Sequence, residues 1–150
     1  MRRTIAWGGL LLFVMTMGLN ACASTGGRAE PSLYKRLGGR EGIRGIVDDF
    51  VAALVADSRV NTRFKDLKPA DVERVKTNIS DQICEAAGGP CSYLGKDMKT
   101  THKGMRITEA EWTAGVEDLT KALDKRNVSP KDKTELLGLL TPMKNDIVNQ

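Results

Sequence analysis

The stretch Gly88-Gly89-Pro90-Cys91-Ser92-Tyr93-Leu94-Gly95, continued to residue 108 as KDMKTTHKGMRIT, decides how the rest of the chain is interpreted. Two glycines and a proline are strong signals for the end of a helix. After Pro90 the stretch carries four Lys or Arg, two Gly and little apolar periodicity. A connection this long inside a small domain is either functional or disordered. It also holds the only histidine, His102.

Amphipathic helices are predicted on both sides of this stretch, because apolar residues recur there at helical spacing. The first two predicted helices run from about 41 to 56 and from 69 to 87. A third begins behind the capping box of Thr108 and Glu111, and a fourth behind Ser129, with Pro142 expected to bend it. Since no segment alternates like a strand, the predicted fold class is all-α.

Length, composition and charge favour one globular domain that does not bind nucleic acid. The chain has 150 residues, of which 41% are hydrophobic and 28% charged. Its net charge is +4, but Arg2 and Arg3 lie in a predicted leader. Without them, 21 Lys and Arg are interleaved with 19 Asp and Glu. A solvated surface therefore explains the charge better than a nucleic-acid footprint.

The N-terminal residues have the features of a signal peptide. A basic start is followed by an apolar stretch from Ile5 to Leu19, which is short for a membrane span. It ends in Leu19-Asn20-Ala21-Cys22, which resembles a bacterial lipoprotein signal. This resemblance implies removal of residues 1–21, acylation of Cys22 and a membrane anchor. Ordinary secretory cleavage and a retained anchor helix are the alternatives.

The position in the bacterial envelope follows from the same resemblance. Ala23 follows the cysteine where an Asp usually means retention in the inner membrane, so the periplasmic face of the outer membrane is expected. Residues 22–31 have the composition of a flexible tether. The folded domain is predicted to span 32–150.

The residues alone point to no hydrolytic or zinc chemistry. The one histidine and three cysteines do not have the spacing of a zinc site. The sequence also shows no Ser-His-Asp or Cys-His arrangement and no glycine-rich phosphate-binding loop after a strand. The carboxylate pair Asp48-Asp49 is interpreted as part of a solvated helix face. His102 taken by itself is most simply a solvated side chain.

The run Gly88–Gly95, followed by Met98, His102 and Ile107-Thr108, resembles the group 1 truncated haemoglobins. The resemblance extends to the segment Leu33–Gly39, to Phe50 and Phe64, and to residues 142–148, and thus covers 32–150. It implies a truncated globin, a 2-on-2 helical sandwich around haem b. Gly88-Gly89 matches the glycine motif that lets the following segment run extended.

Residue by residue, the resemblance implies a haem site. His102 matches the proximal histidine that ligates the iron. The expected cofactor-binding residues are Phe64, Val75, Ile79, Ile83, Met98, Ile107 and Trp112.

On the distal side the chain departs from the family's pattern. The expected distal residues are Val51, where the family commonly has Tyr, and Val75 and Ile79, at positions that often hold Gln. The segment before Gly88 is about three residues longer than in relatives, and a slip of register would instead bring Asn78 or Gln82 to the ligand. An apolar pocket would deprive bound dioxygen of a hydrogen bond worth about 1–3 kcal/mol.

The implied function is binding of diatomic gases, namely oxygen, carbon monoxide and nitric oxide, at the haem iron. One alternative is a haem enzyme that removes nitric oxide or peroxide, with a reductase as partner. Another is a structural lipoprotein on a globin-like fold without cofactor. In an oxidising compartment Cys84 and Cys91 are expected to form a disulfide, whereas a buried Cys84 beside an unrelated free Cys91 is the alternative.

Overall fold

The structure is a computed structural model that describes residues 29–150. The predicted leader, Cys22 and most of the tether lie outside these residues. Six α-helices and two short 3-10 segments follow one another along the described part. They are α1 (Leu33–Arg36), α2 (Gly39–Ala56), a 3-10 turn (Asn61–Arg63), α3 (Pro69–Ala86), α4 (Met98–His102), α5 (Glu109–Lys125), α6 (Pro130–Leu140) and a 3-10 segment (Thr141–Asp146).

Between residues 29 and 150 no strand forms, and one isolated bridge joins Ile107 to Val148. The predicted all-α class is therefore confirmed for this part of the chain. Within the same residues no helix combines the length and apolarity needed to span a bilayer.

Local sequence signals set the helix boundaries. The Thr108 hydroxyl accepts a hydrogen bond from the Glu111 N–H, and the Glu111 carboxylate accepts one from the Thr108 N–H, which completes the predicted capping box of α5. The Ser129 hydroxyl caps α6 by accepting a hydrogen bond from the Asp132 N–H. Pro69 opens α3, where its missing N–H costs nothing.

Helix α2 forms the centre of the fold and packs against both α3 and α5. Its apolar face is buried, as the periodicity predicts. The buried residues of α2 are Ile43, Ile46, Val47, Val51 and Leu54. The first four form one core with residues that include Leu33, Ile83, Leu123 and Leu136 from α1, α3, α5 and α6. Leu54 belongs to a second, smaller cluster with Val60 and Ala114.

The glycine pair after α3 is required by close packing. Gly88 has φ +75°, a left-handed conformation that ends the helix. A Cβ on Gly89 would lie 2.5 Å from the ring of Tyr34 and 2.6 Å from the Cys84 sulfur. Tyr34 is held there by its own N–H, which donates to the Ala87 carbonyl at 2.9 Å. The motif thus lets α1 pack onto the end of α3.

Two expectations about local structure are wrong. Pro142 does not bend a continuous helix, since α6 ends at Leu140 and a 3-10 segment follows. Asp49 is not a solvated charge: its side chain is 13% exposed and accepts hydrogen bonds from Lys125 and Arg126, both at 2.5 Å. These contacts tie α2 to the end of α5. Amphipathic spacing alone does not reveal ion pairs between helices.

Candidate functional site

A cavity of about 470 Å³ opens between α2, α3, α4, α5, α6 and the 3-10 segment that follows α6. Its wall is mostly aliphatic and aromatic, with a few polar side chains. Such an apolar cavity with few convergent polar groups is the usual form of a cofactor or ligand site. The apolar side chains of its wall are Phe50, Leu54, Val60, Phe64, Leu67, Val75, Ile79, Ile83, Met98, Met105, Ile107, Trp112, Val116, Leu119, Leu137, Leu140, Met143 and Ile147.

His102 lies on this wall, half-buried, at the end of the short helix α4. Its Nδ1 is 2.8 Å from the Met98 carbonyl oxygen. A carbonyl can only accept, so the ring must donate from Nδ1. In the neutral imidazole this leaves the Nε2 lone pair free for a metal. The fold therefore fixes the tautomer that a metal-ligating histidine needs.

Helix α4 has a cavity side and a solvent side. The Asp97 carboxylate accepts from the Thr100 N–H at 2.8 Å and caps the helix. Hydrogen bonds from the Thr100 side chain and from its N–H lower the pKa of Asp97. Met98, Thr101 and His102 line the cavity, whereas Lys99 is exposed. One turn of helix is thus enough to aim the imidazole inward.

Residues predicted to bind the cofactor come together around this cavity. All seven, together with His102, lie on its wall: Phe64, Val75, Ile79, Ile83, Met98, Ile107 and Trp112. They come from α3, α4, α5, the α4–α5 connection and, for Phe64, the end of the 3-10 turn before α3. Positions up to 48 residues apart in the chain are therefore brought to one site.

The distal set expected from the sequence needs a correction at Val51. Val51 is 1% exposed and lies in the core beside Val47 and Ile83, and it does not line the cavity. Its neighbour Phe50 lines the cavity instead. Adjacent residues on a helix point about 100° apart, and the rotation of α2 in this fold turns Phe50 to the cavity and Val51 to the core.

Helix α3 presents one mixed face to the cavity. Val75, Asn78, Ile79, Gln82 and Ile83 all line it, at spacings of three and four residues. The apolar candidates Val75 and Ile79 and the polar candidates Asn78 and Gln82 therefore line the cavity together, although the sequence suggested them as alternatives. The Gln82 amide lies 3.5 Å from the Met143 sulfur, so part of its hydrogen-bonding capacity is occupied within the wall.

Sequence reasoning missed an ion pair on the cavity wall, formed by Arg63 and Glu111. Arg63 Nε donates to Glu111 Oε1 at 2.8 Å, and Nη1 donates to the Met105 carbonyl at 2.7 Å. The side chains are 30% and 15% exposed. Burial raises the pKa of Glu111, but hydrogen bonds from Thr108 and Arg63 outweigh it, and the pKa lies below its ordinary value. No local pattern marks Arg63 as the partner.

Cys84 and Cys91 face each other across the glycine motif. Their Cα atoms are 5.8 Å apart, a separation that a disulfide spans. Cys84 is fully buried, and the Arg40 guanidinium lies 3.1 Å from the Cys91 sulfur. The arrangement suits the predicted bond, which stays a prediction.

Comparison with known proteins places the chain in a family. The model of the bacterial-like globin family matches residues 32–149. A group 1 truncated haemoglobin of Mycolicibacterium paratuberculosis is 31% identical over 121 residues, which are 80% of this chain and 87% of that protein. One from Chlamydomonas moewusii is 30% identical over 79% of this chain and 68% of its own length.

Solved structures show the same similarity in three dimensions. The truncated haemoglobin of Tetrahymena pyriformis in its Fe(III) form superposes with a TM-score of 0.74 at 27% identity, covering 80% of this chain and all of that one. The 2/2 haemoglobin of Synechococcus, crystallised with covalently attached haem, gives 0.72 at 28% identity, with coverage of 80% and 100%. The predicted globin fold is confirmed. The chain belongs to the bacterial-like globin family, and the group 1 truncated haemoglobins are its relatives.

Proposed function

We propose that this protein binds haem b in the cavity, that His102 Nε2 would ligate its iron, and that the bound iron would take up a diatomic gas. One observation carries the proposal: the imidazole stands on the wall of an apolar cavity with Nδ1 engaged by the Met98 carbonyl. That hydrogen bond selects the ligating tautomer. The family relationship supports the same cofactor.

The residues present fit such a group. The cavity volume, about 470 Å³, lies within the range of small-molecule and cofactor sites. Phe64 and Trp112 supply flat aromatic surface, and the aliphatic wall excludes water. When bound, an iron held by one histidine offers its sixth position to a gas.

Polar side chains of α3 would set the affinity for oxygen. Asn78 is half-buried on the cavity wall and carries an amide N–H that can donate to a polar ligand. Replacing Asn78 with Leu should speed oxygen release by about tenfold, because one hydrogen bond of about 1.4 kcal/mol is lost. Thr77→Ala, an exposed change on the same helix, is the control. Equal off-rates in all three proteins would remove Asn78 from the distal site.

An absorption spectrum tests whether haem is bound at all. The full chain, purified and titrated with haem, should develop a Soret band that saturates at one haem per chain, and carbon monoxide should shift the band of the reduced protein. A titration without a saturable band would favour the cofactor-free structural protein instead.

The proposed location is the periplasmic face of a bacterial outer membrane, with a lipid anchor at Cys22. The support is the sequence Leu19-Asn20-Ala21-Cys22 behind an apolar stretch. Acyl chains contribute about 0.8 kcal/mol per buried methylene, so several chains anchor stably. Cys22→Ser should yield unprocessed or soluble protein in membrane fractionation. An unmodified mature N-terminus at another residue of the wild type, found by mass spectrometry, would contradict the anchor.

A further inference from the structure

We propose that the exposed basic surface formed by α4 and the residues flanking it is the docking surface for an acidic electron-donor protein that keeps the haem iron reduced. The surface, here called the α4 patch, consists of Leu94, Lys96, Lys99 and Lys103. The proposal rests on the proposed haem function. In the step that docking serves, one electron passes from the reduced donor to ferric iron, which leaves ferrous iron and the donor oxidised by one electron.

The three lysines of the α4 patch carry uncompensated charge. All are exposed, and none has a carboxylate within 4.0 Å among residues 29–150, which hold every Asp and Glu of the chain. Most other Lys and Arg side chains of that part form ion pairs. Asp97 is the only acid between 91 and 107, and its Oδ1 is engaged by the Thr100 N–H. Exposed Arg106 adds positive charge beyond the far end of α4.

An exposed apolar side chain accompanies the charges. Leu94 is 91% exposed, more than any other large hydrophobic residue between 29 and 150. A lone exposed leucine has little meaning. Beside three free ammonium groups, however, it gives the composition of a transient electron-transfer interface, which is small and held largely by complementary charge.

The position of the patch explains why it would serve reduction. Lys99 lies on α4, one turn of which carries His102 on the cavity side, while Lys96 precedes the N-cap Asp97 and Lys103 directly follows His102 as the C-cap. The Met98 carbonyl, in this same turn, holds the imidazole at 2.8 Å. A donor on the patch therefore contacts residues of the same short segment, 94–103, that carries the proposed iron ligand.

An acidic protein fits the patch better than a membrane or a second copy. Lysine and arginine clusters that bind anionic lipid usually contain four to eight such residues, and the three lysines of the patch reach only the lower limit of that range when Arg106 is added. Pairing of two such patches in a symmetric dimer would bring like charges together, which is unfavourable.

The experiment measures reduction of the ferric holoprotein by a reduced plant-type [2Fe–2S] ferredoxin, an acidic one-electron donor, in a stopped-flow instrument. The patch variant is Lys96→Glu/Lys99→Glu/Lys103→Glu. The control Lys35→Glu/Arg74→Glu/Lys131→Glu changes the net charge equally at exposed positions elsewhere. Haem content and reduction by dithionite are measured for each protein. Binding of oxidised ferredoxin, measured by calorimetry, gives a readout that does not depend on electron transfer.

We expect the patch variant to lose at least about tenfold in the second-order rate constant at low ionic strength. Its affinity for ferredoxin should fall in parallel, and the difference from wild type should vanish at high salt. Leu94→Ser should slow reduction at both ionic strengths. The control should stay close to wild type, and dithionite should reduce all proteins alike.

Contrary outcomes separate the two proposals. Absence of a haem spectrum in the wild type would overturn the proposed function itself. Equal ferredoxin rates and affinities in wild type and patch variant, with haem retained, would overturn the docking surface alone. An unchanged reduction rate in the patch variant would also overturn it if that variant no longer binds phosphatidylglycerol vesicles that the wild type binds. The same holds if the wild type is a dimer in sedimentation and the patch variant, reduced at the same rate, is not.

Discussion

The guanidinium of Arg63 and the carboxylate of Glu111 meet on the cavity wall, with Nη2 2.7 Å from Oε1. Arg63 belongs to the 3-10 turn after α2, and Glu111 to the first turn of α5. Through its bond to the Met105 carbonyl, Arg63 also holds the connection that follows His102. The pair thus joins the 3-10 turn, α5 and the connection after α4 around the site.

Replacing Arg63 with Met should lower the free energy of unfolding by about 1.5–3 kcal/mol, because a charge-assisted hydrogen bond is lost and Glu111 stays partly buried. Urea denaturation measures the change. Arg63→Met/Glu111→Gln should cost less than the sum of the single changes. Arg74→Met breaks an exposed pair with Asp71 and should cost less than about 1 kcal/mol. If the losses of unfolding free energy in Arg63→Met and Glu111→Gln add up to the loss in the double variant, the pair does not stabilise the fold.

Glu111 should also contribute to acid sensitivity. Its pKa in the folded protein lies below the ordinary 4.5. Near pH 4.5 the Glu111 carboxylate is partly protonated in the unfolded chain but still ionised in the folded protein, so unfolding takes up a proton. The resulting stability is present above that pH and is lost as the pH falls through the folded-state pKa. Glu111→Gln should flatten the loss of unfolding free energy below pH 4.5, and an unchanged pH profile would contradict the role.

Burial of Val51 gives a prediction opposite to that from the resemblance. Tyr at this position should overpack the core and cost about 1–3 kcal/mol, since Val51 is 1% exposed. Val55→Tyr on the same helix, where Val55 is 47% exposed, should change stability by less than about 0.5 kcal/mol. Thermal or urea unfolding compares the two. A fully stable Val51→Tyr protein with slower oxygen release would instead place residue 51 at the ligand.

The difference between Val51 and the other site residues shows what the sequence could predict. The His102 stretch, the helix caps and the apolar face of α3 are local patterns, and the structure has them at the expected positions. Whether Phe50 or Val51 faces the cavity depends on the rotation of α2 against α3 and α5, which no local pattern encodes. The Arg63–Glu111 and Asp49–Lys125 pairs join residues 48 and 76 positions apart. Such pairs arise only from tertiary packing.

The predicted disulfide between Cys84 and Cys91 can be tested by thiol labelling. The closed loop has about eight residues, so the chain-entropy model gives about 2.5 kcal/mol of stabilisation. Without reductant, neither cysteine should react in folded or denatured protein, and reduction should lower the unfolding free energy by about that amount. Stoichiometric labelling of Cys91 after denaturation alone would rule the bond out. Cys22→Ser removes the third thiol and keeps the assay unambiguous.

His102 is the residue on which the proposed function depends, and the most direct test is a haem titration of His102→Gly followed at the Soret band. Without the imidazole, haem affinity should fall by at least about tenfold, since loss of 1.4 kcal/mol of binding free energy already has that effect. Free imidazole should partly restore the ferrous spectrum. Thr101→Ala, also on the cavity wall, should bind like wild type. Wild-type affinity and an unchanged ferrous spectrum in His102→Gly would contradict ligation by His102.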